Sequence, residues 1–180
     1  MANSIQIHGK NFVPYLSETA IKEKIKEMAA AISKDYAGKR PLFIGILNGA
    51  FMFASDLFKE LTIEAEISFI KLASYSGTKS TGKVLTAIGL DADINGRHVI
   101  IIEDIVDTGK TLSSFLPQLE HQGPASIKLA ALLTKPEART HPITIDYLCF
   151  TIPNKFVVGY GLDYDSLGRN LKEIYQLKEE

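Results

Sequence analysis

The sequence predicts an α/β domain: a central parallel sheet flanked by helices, with a small hood built from the N-terminal arm and the C-terminal third. Three observations predict it. Nearly unbroken apolar runs at 42–47, 99–102 and 127–134 read as strands buried on both faces. The first two runs lead through a tight turn into a segment with apolar residues at helical spacing. This strand-turn-helix order recurs along the chain, which implies parallel strands joined by crossovers. The length of 180 residues fits one domain, 1–180, large enough to bury most of a core.

Residues 5–15 alternate loosely and end at Pro14, which predicts a weak strand or arm. Ile21, Ile25, Met28, Ile32 and Tyr36 recur at helical spacing and predict a helix over 17–37, with Ser17 as its cap and Gly38 at its end. The strand at 42–47 passes through Asn48-Gly49 into a helix over 50–61 carrying Phe51, Phe53, Leu57 and Phe58. Residues 64–72 set Glu64, Glu66 and Ser68 against Ala65, Ile67 and Phe69, the alternation of a half-exposed strand. Residues 74–83 are small or polar around one aromatic, Tyr75, and read as a flexible hairpin loop or a lid. Residues 84–90 pair back as a strand, and Asn95-Gly96 turns the chain. Lys135-Pro136 ends the strand at 127–134, short strands follow at 145–150 and 156–160, and a polar tail closes the chain.

Bulk properties exclude several classes. A net charge of −1 supplies no field for nucleic acid or an acidic membrane. No apolar run approaches the roughly 18 residues of a spanning helix. The first residues lack the basic-then-apolar pattern of a signal peptide, so the cytoplasm is the expected location. Cys149 is the only cysteine and sits in an apolar strand, which reads as a buried thiol rather than a nucleophile. His8, His98, His121 and His141 are scattered and read as turn or surface residues.

The chemistry concentrates at 99–111. After Val99-Ile100-Ile101-Ile102, Glu103 and Asp104 stand where the strand should end, and Asp107 follows. Thr108, Gly109, Lys110 and Thr111 then lead into a helix with Leu112, Phe115, Leu116 and Leu119. A helix N-terminus with free N–H groups and two threonine hydroxyls is a phosphate cradle. Ionised carboxylates accept from the vicinal hydroxyls of a ribose, and they also suit Mg²⁺. Gly109-Lys110-Thr111 mimics the end of a P-loop, but the glycine that a P-loop needs is here Asp104. Acids at a helix N-terminus also occur for purely structural reasons.

The stretch resembles the phosphoribosyl pyrophosphate motif of type I phosphoribosyltransferases: apolar strand, Glu-Asp, two apolar residues, Asp-Thr-Gly, one variable residue, Thr. Over nearly its whole length the chain resembles the hypoxanthine(-guanine) phosphoribosyltransferases. The resemblance rests on Asn48-Gly49, Ser74-Tyr75, the central motif, Leu132-Leu133-Thr134-Lys135, and the segment 155–164 with Arg169.

The resemblance implies purine salvage: hypoxanthine, and guanine, react with 5-phosphoribosyl 1-pyrophosphate to give the nucleotide and pyrophosphate. It implies Asp107 for acid–base work at purine N7, and Glu103 and Asp104 on the ribose diol. Residues Thr108, Gly109, Lys110 and Thr111 would take the 5′-phosphate. Asn48, Gly49 and Arg169 would take pyrophosphate, and Ser74 and Tyr75 would form the lid. Lys135 would donate to the 6-oxo group, Phe156 would stack on the purine, and Val157 would meet its edge through the backbone. Mg²⁺ is the implied cofactor, on Asp163 with Glu103 and Asp104. A homo-oligomer, dimer or tetramer, is implied as well. Without the resemblance, Phe156 reads as core and Lys135 as solvated.

Two positions depart from the family pattern. Asn48 stands where a basic residue is common, and Gly168 stands where an aromatic often precedes the arginine. Xanthine as the preferred base is the rival substrate. A donor-sensing regulator of nucleic acid is the rival class, disfavoured by the charge of −1 and by Asp107.

Overall fold

The computed structural model describes residues 3–74 and 84–178. In chain order the elements are β1 (Ile5–Ile7), β2 (Lys10–Leu16), α1 (Glu18–Asp35), β3 (Leu42–Leu47), α2 (Phe51–Glu60), β4 (Glu66–Ser74), β5 (Val84–Ile88), β6 (His98–Val106), α3 (Lys110–Glu120), β7 (Ser126–Thr134), β8 (Tyr147–Thr151), β9 (Val157–Val158) and β10 (Ile174–Leu177).

The main sheet has the strand order β5-β4-β3-β6-β7-β8. Strands β4, β3, β6, β7 and β8 run parallel, and β5 closes one edge antiparallel to β4. The apolar runs are continuous because both faces are covered. Ile100 and Ile102 face a core shared with Ile21, Ile25, Phe53 and Leu57 of α1 and α2. Val99 and Ile101, one residue out of phase, face a second core with Leu112, Phe115 and Leu119 of α3. The Ser17 side chain caps α1 by accepting from Ala20 N at 3.2 Å, and the predicted stripe Ile21, Ile25, Met28 and Ile32 is its buried face.

The connection through α2 carries the chain from β3 outward to β4, while α3 carries it from β6 the other way to β7. The order in which strands are added therefore reverses between β3 and β6. A crevice opens at the carboxyl ends of strands at such a switch point. The turns after β3 and β6, Asn48-Gly49 and Thr108-Gly109, both lie there.

The hood is a separate antiparallel sheet, β1-β2-β10-β9. It corrects two expectations. The arm at 5–15 is a paired hairpin, not a single weak strand. The tail is not merely polar: Ile174, Tyr175, Gln176 and Leu177 form β10, which pairs with β2 and β9. Pro14 sits in β2 beyond Phe12, the last residue paired with β1, and opposite a register shift in β10, where a strand tolerates proline. Two strands are also shorter or displaced from expectation: only Val157–Val158 of 156–160 is strand, and the strand at 145–150 starts two residues late, at Tyr147. Phe69, expected to point inward, is 37% exposed, its ring lying over Gly45. Among the described residues, no helix is long and apolar enough to cross a membrane.

Candidate active site

The turn after β6 is built by glycine. Gly109 has φ +78° and caps α3, which begins at Lys110, earlier than the apolar pattern alone predicts. A Cβ there would come within 2.9 Å of the His141 carbonyl oxygen and of Ile143 Cγ1. The turn is fastened from below: Thr140 N and His141 N donate to the Thr108 carbonyl at 3.1 and 3.0 Å. Thr108 Oγ1 accepts from Lys110 N at 3.3 Å. The open cleft above the turn measures about 260 Å³ and is lined by Ile46, Leu72, Glu103, Asp107, Thr108 and Thr111 among others.

The acidic pair lies inside the strand rather than beyond it. β6 runs to Val106, and Glu103 pairs in register with Ala131 of β7. Strand pairing thus fixes the backbone beneath Glu103, and the pair Ile105–Leu133 resumes it after Asp104. Asp104 Oδ1 accepts from Ile105 N at 2.8 Å, and its other oxygen presses on Gly49 so closely that any side chain at Gly49 would overlap it. Burial, and after it the neighbouring Asp104, push the Glu103 carboxyl well above the usual carboxylate range.

The hood delivers the next layer. Gly161 packs on the Gly49 carbonyl, again with no room for a side chain. Arg169 donates from Nη1 to the Gly161 carbonyl at 2.7 Å and from Nη2 to Asp163 Oδ1 at 2.7 Å. Gly168 is accounted for here: it has φ +97°, and a Cβ would strike Val158. The aromatic residue common in the family would not fit this packing. The Leu47–Asn48 peptide is cis, which turns the chain directly after β3.

Asp107 follows β6 and Lys135 follows β7, and Lys135 Nζ lies 3.8 Å from Asp107 Oδ2. The Phosphoribosyl transferase domain family matches residues 15–165. The chain belongs to the phosphoribosyltransferase family. It is 46% identical over 166 residues to a hypoxanthine-guanine phosphoribosyltransferase of Streptococcus pneumoniae, covering 92% of each chain. A solved hypoxanthine phosphoribosyltransferase from Staphylococcus aureus superposes with a TM-score of 0.87 at 43% identity, over 92% of this chain and 90% of that one. A Trypanosoma cruzi hypoxanthine phosphoribosyltransferase gives a TM-score of 0.88 at 37% identity, over 97% and 95%.

In this phosphoribosyltransferase the burial of Lys135 and Phe156 is the reverse of the bare sequence reading. Lys135 is 7% exposed and Phe156 is 43% exposed. Lys135 follows β7, which lies between β6 and β8 inside the sheet, and its N donates to the Val106 carbonyl at 3.1 Å. Phe156 is exposed on one side and backed on the other by Phe12 and Tyr164, with ring centroids at 6.3 and 5.5 Å. Val157 is buried at the start of β9 and pairs with Gln176. Ser74 ends β4; Tyr75 and the remainder of the expected lid at 76–83 lie outside the described residues.

Sequence reasoning missed two supports. Buried Tyr160 donates its hydroxyl to Asp56 Oδ2 at 2.6 Å, tying the hood to α2. Arg139 reaches beneath the turn at Thr108-Gly109. Neither belongs to a motif with recognisable spacing; Asp56 and Tyr160 are 104 positions apart.

The oxygen donors suit magnesium, but among the described residues no three Asp, Glu, His or Cys side chains lie close enough together to hold a metal ion by themselves. Mg²⁺ takes one or two carboxylates and completes its shell with waters and substrate phosphates. Glu103, Asp104 and Asp163 offer oxygen only, and the Gly161–Gly49–Asp104 stack brings the hood segment to the acidic edge.

Proposed function

We propose that this phosphoribosyltransferase transfers the ribosyl phosphate of 5-phosphoribosyl 1-pyrophosphate to N9 of hypoxanthine, and of guanine, forming the nucleoside monophosphate and releasing pyrophosphate. The observation that carries this reading is the pair Lys135 and Asp107, a buried donor 3.8 Å from a carboxylate at the mouth of the phosphate cleft. A lysine only donates, so Lys135 selects a 6-oxo group and rejects a 6-amino group.

Each residue then has a task. Residues Thr108, Gly109, Lys110 and Thr111 hold the 5′-phosphate on the N-terminus of α3. Glu103 and Asp104 bind the ribose hydroxyls, and the Asp104 carboxylate favours positive charge at C1′ as the bond to pyrophosphate breaks. The bond from N9 to C1′ forms on the other side, and Asp107 takes the N7 proton. Phe156 stacks on the purine, worth about 1–3 kcal/mol, and Val157 meets its edge through backbone groups. The Asn48-Gly49 turn and Arg169 hold pyrophosphate, Arg169 by exchanging its contact with Asp163 for phosphate oxygens. When bound on Asp163 and the acidic pair, Mg²⁺ supplies charge neutralisation of the leaving group.

We place this activity in the cytoplasm and in a homo-oligomer, dimer or tetramer, which light scattering checks. The decisive assay offers hypoxanthine, guanine, xanthine and adenine separately, with donor and Mg²⁺, to the wild type and to Asp107→Asn. Turnover of the 6-oxopurines without adenine, and its loss in the variant, supports the reading. Turnover of adenine, or full activity in the variant, overturns it.

A further inference from the structure

Lys135 and Asp107 follow different strands, and the fold must hold their distance. Arg139 is placed to do this. It follows the 3-10 turn Pro136–Ala138 after β7 and curls back under the site. Its Nη2 donates to Thr134 Oγ1 at 2.5 Å, and its Nη1 donates to the Ile143 carbonyl at 3.0 Å. Thr134 Oγ1 donates in turn to the Val106 carbonyl at 3.2 Å. That carbonyl also accepts from Lys135 N at 3.1 Å. Val106 immediately precedes Asp107, and Thr134 immediately precedes Lys135. The stem of Arg139 lies under the phosphate turn: a Cβ on Gly109 would be 3.3 Å from Arg139 Cδ. One side chain therefore touches the supports of the base-side lysine, the carboxylate and the phosphate cradle.

We infer that Arg139 is a positioning residue, which sets the separation of Asp107 and Lys135 through the Thr134 hydroxyl and the Val106 carbonyl. The inference rests on the roles given above to Asp107 and Lys135. The chemistry is directional. A hydroxyl has one proton and two lone pairs. A guanidinium donating to Thr134 Oγ1 occupies a lone pair and leaves the proton for Val106 O, so the rotor has one orientation. A bond from a charged donor is about twice as strong as a neutral one. The guanidinium is planar and its two donor arms are fixed relative to one another, so anchoring one arm on the Ile143 carbonyl aims the other at Thr134. An ammonium in the same place reaches one acceptor and aims nothing. Asp107, with a side chain 48% exposed, has only the Lys135 contact among the side-chain ion pairs of the described residues. Its precision must come from the backbone that carries it.

The test compares Arg139→Met, Arg139→Lys and Thr134→Val with the wild type in steady-state kinetics with hypoxanthine, donor and Mg²⁺. Methionine keeps an unbranched stem against Gly109 and removes the donors. The expected result for Arg139→Met is a kcat lower by at least tenfold with the donor KM changed less than threefold. Thr134→Val should match it, Arg139→Lys should recover part of the loss, and the double variant should be no worse than either single one, because both act through one connection. Unchanged kcat with a lowered melting temperature, or losses that multiply in the double variant, overturns the inference. If Arg139→Met does not fold, Thr134→Val decides, since it keeps the shape of the side chain and removes only the hydroxyl. Asp107→Asn, run alongside, separates the two levels. Its inactivity beside a fully active Thr134→Val sinks the positioning role alone, and its full activity sinks the reading beneath it.

Discussion

Gly161 rests directly on the carbonyl of Gly49, and Gly49 rests on the Asp104 carboxylate, so the hood, the turn after β3 and the acidic strand meet with no room for a side chain at either glycine. This stack sets the height of the hood over the crevice. Gly161 also has φ +97°, where an L side chain is strained whatever the space. Gly161→Ala should lift the hood, lower stability by about 1–3 kcal/mol in urea unfolding, and raise the donor KM. Wild-type kinetics in this variant would show that the stack does not govern the site.

Lys135→Gln exchanges an obligate donor for a group that both donates and accepts. A hydrogen bond from a charged group contributes about 1.5–3 kcal/mol, so the hypoxanthine KM should rise roughly 10- to 100-fold by the usual conversion of 1.4 kcal/mol per decade. The donor KM should hardly move. Competition by adenine should become measurable, which inhibition kinetics would read.

Tyr160 and Asp56 link hood and α2 through a 2.6 Å bond, and Lys59 holds the same carboxylate at 2.6 Å. Burial alone would raise the Asp56 pKa, but the hydrogen bonds from Lys59 and Tyr160 outweigh it, and the pKa is lowered. A carboxyl depressed in the folded state contributes stability that is present above its unfolded pKa, near 4, and is lost as pH falls through the folded value. Tyr160→Phe should therefore cost about 1–3 kcal/mol at neutral pH. Its deficit against the wild type should shrink in acid unfolding below about pH 4, the unfolded range for Asp. A deficit independent of pH would assign it to packing.

Cys149 is buried in β8, and burial pushes its thiol up to about 12. The native protein should leave a thiol-reactive chromogenic disulfide unreacted at pH 8, and the unfolded protein should react fully. The sign is opposite to that of Asp56. A thiol raised in the folded state contributes stability that is complete below its unfolded pKa, near 9, and is lost as pH rises toward 12. Cys149→Ala should flatten that part of the alkaline stability profile. Rapid reaction of the native protein would place the thiol outside the core.

Much of the architecture was legible in the chain because its signals are local. The Ile100, Ile101 and Ile102 run marks a strand covered on both faces; Ser17 and the Ile21–Ile25–Met28–Ile32 spacing mark a capped amphipathic helix; Gly109 marks a turn that only a left-handed residue makes. The turn at 108–111 and the acids before it lie within one short segment, so sequence order is nearly spatial order there. The sequence by itself therefore determined the fold class, the family and the residues of the central motif. Tertiary structure alone decided what depends on distant partners: that Lys135 is buried and Phe156 exposed, that the tail is a strand, that Gly168 is demanded by Val158, and that Arg139 reaches Gly109 and Thr134. A side chain's burial and its hydrogen-bond partners are set by whatever the fold packs against it, and nothing in the neighbouring letters of the chain encodes a contact made across the sheet.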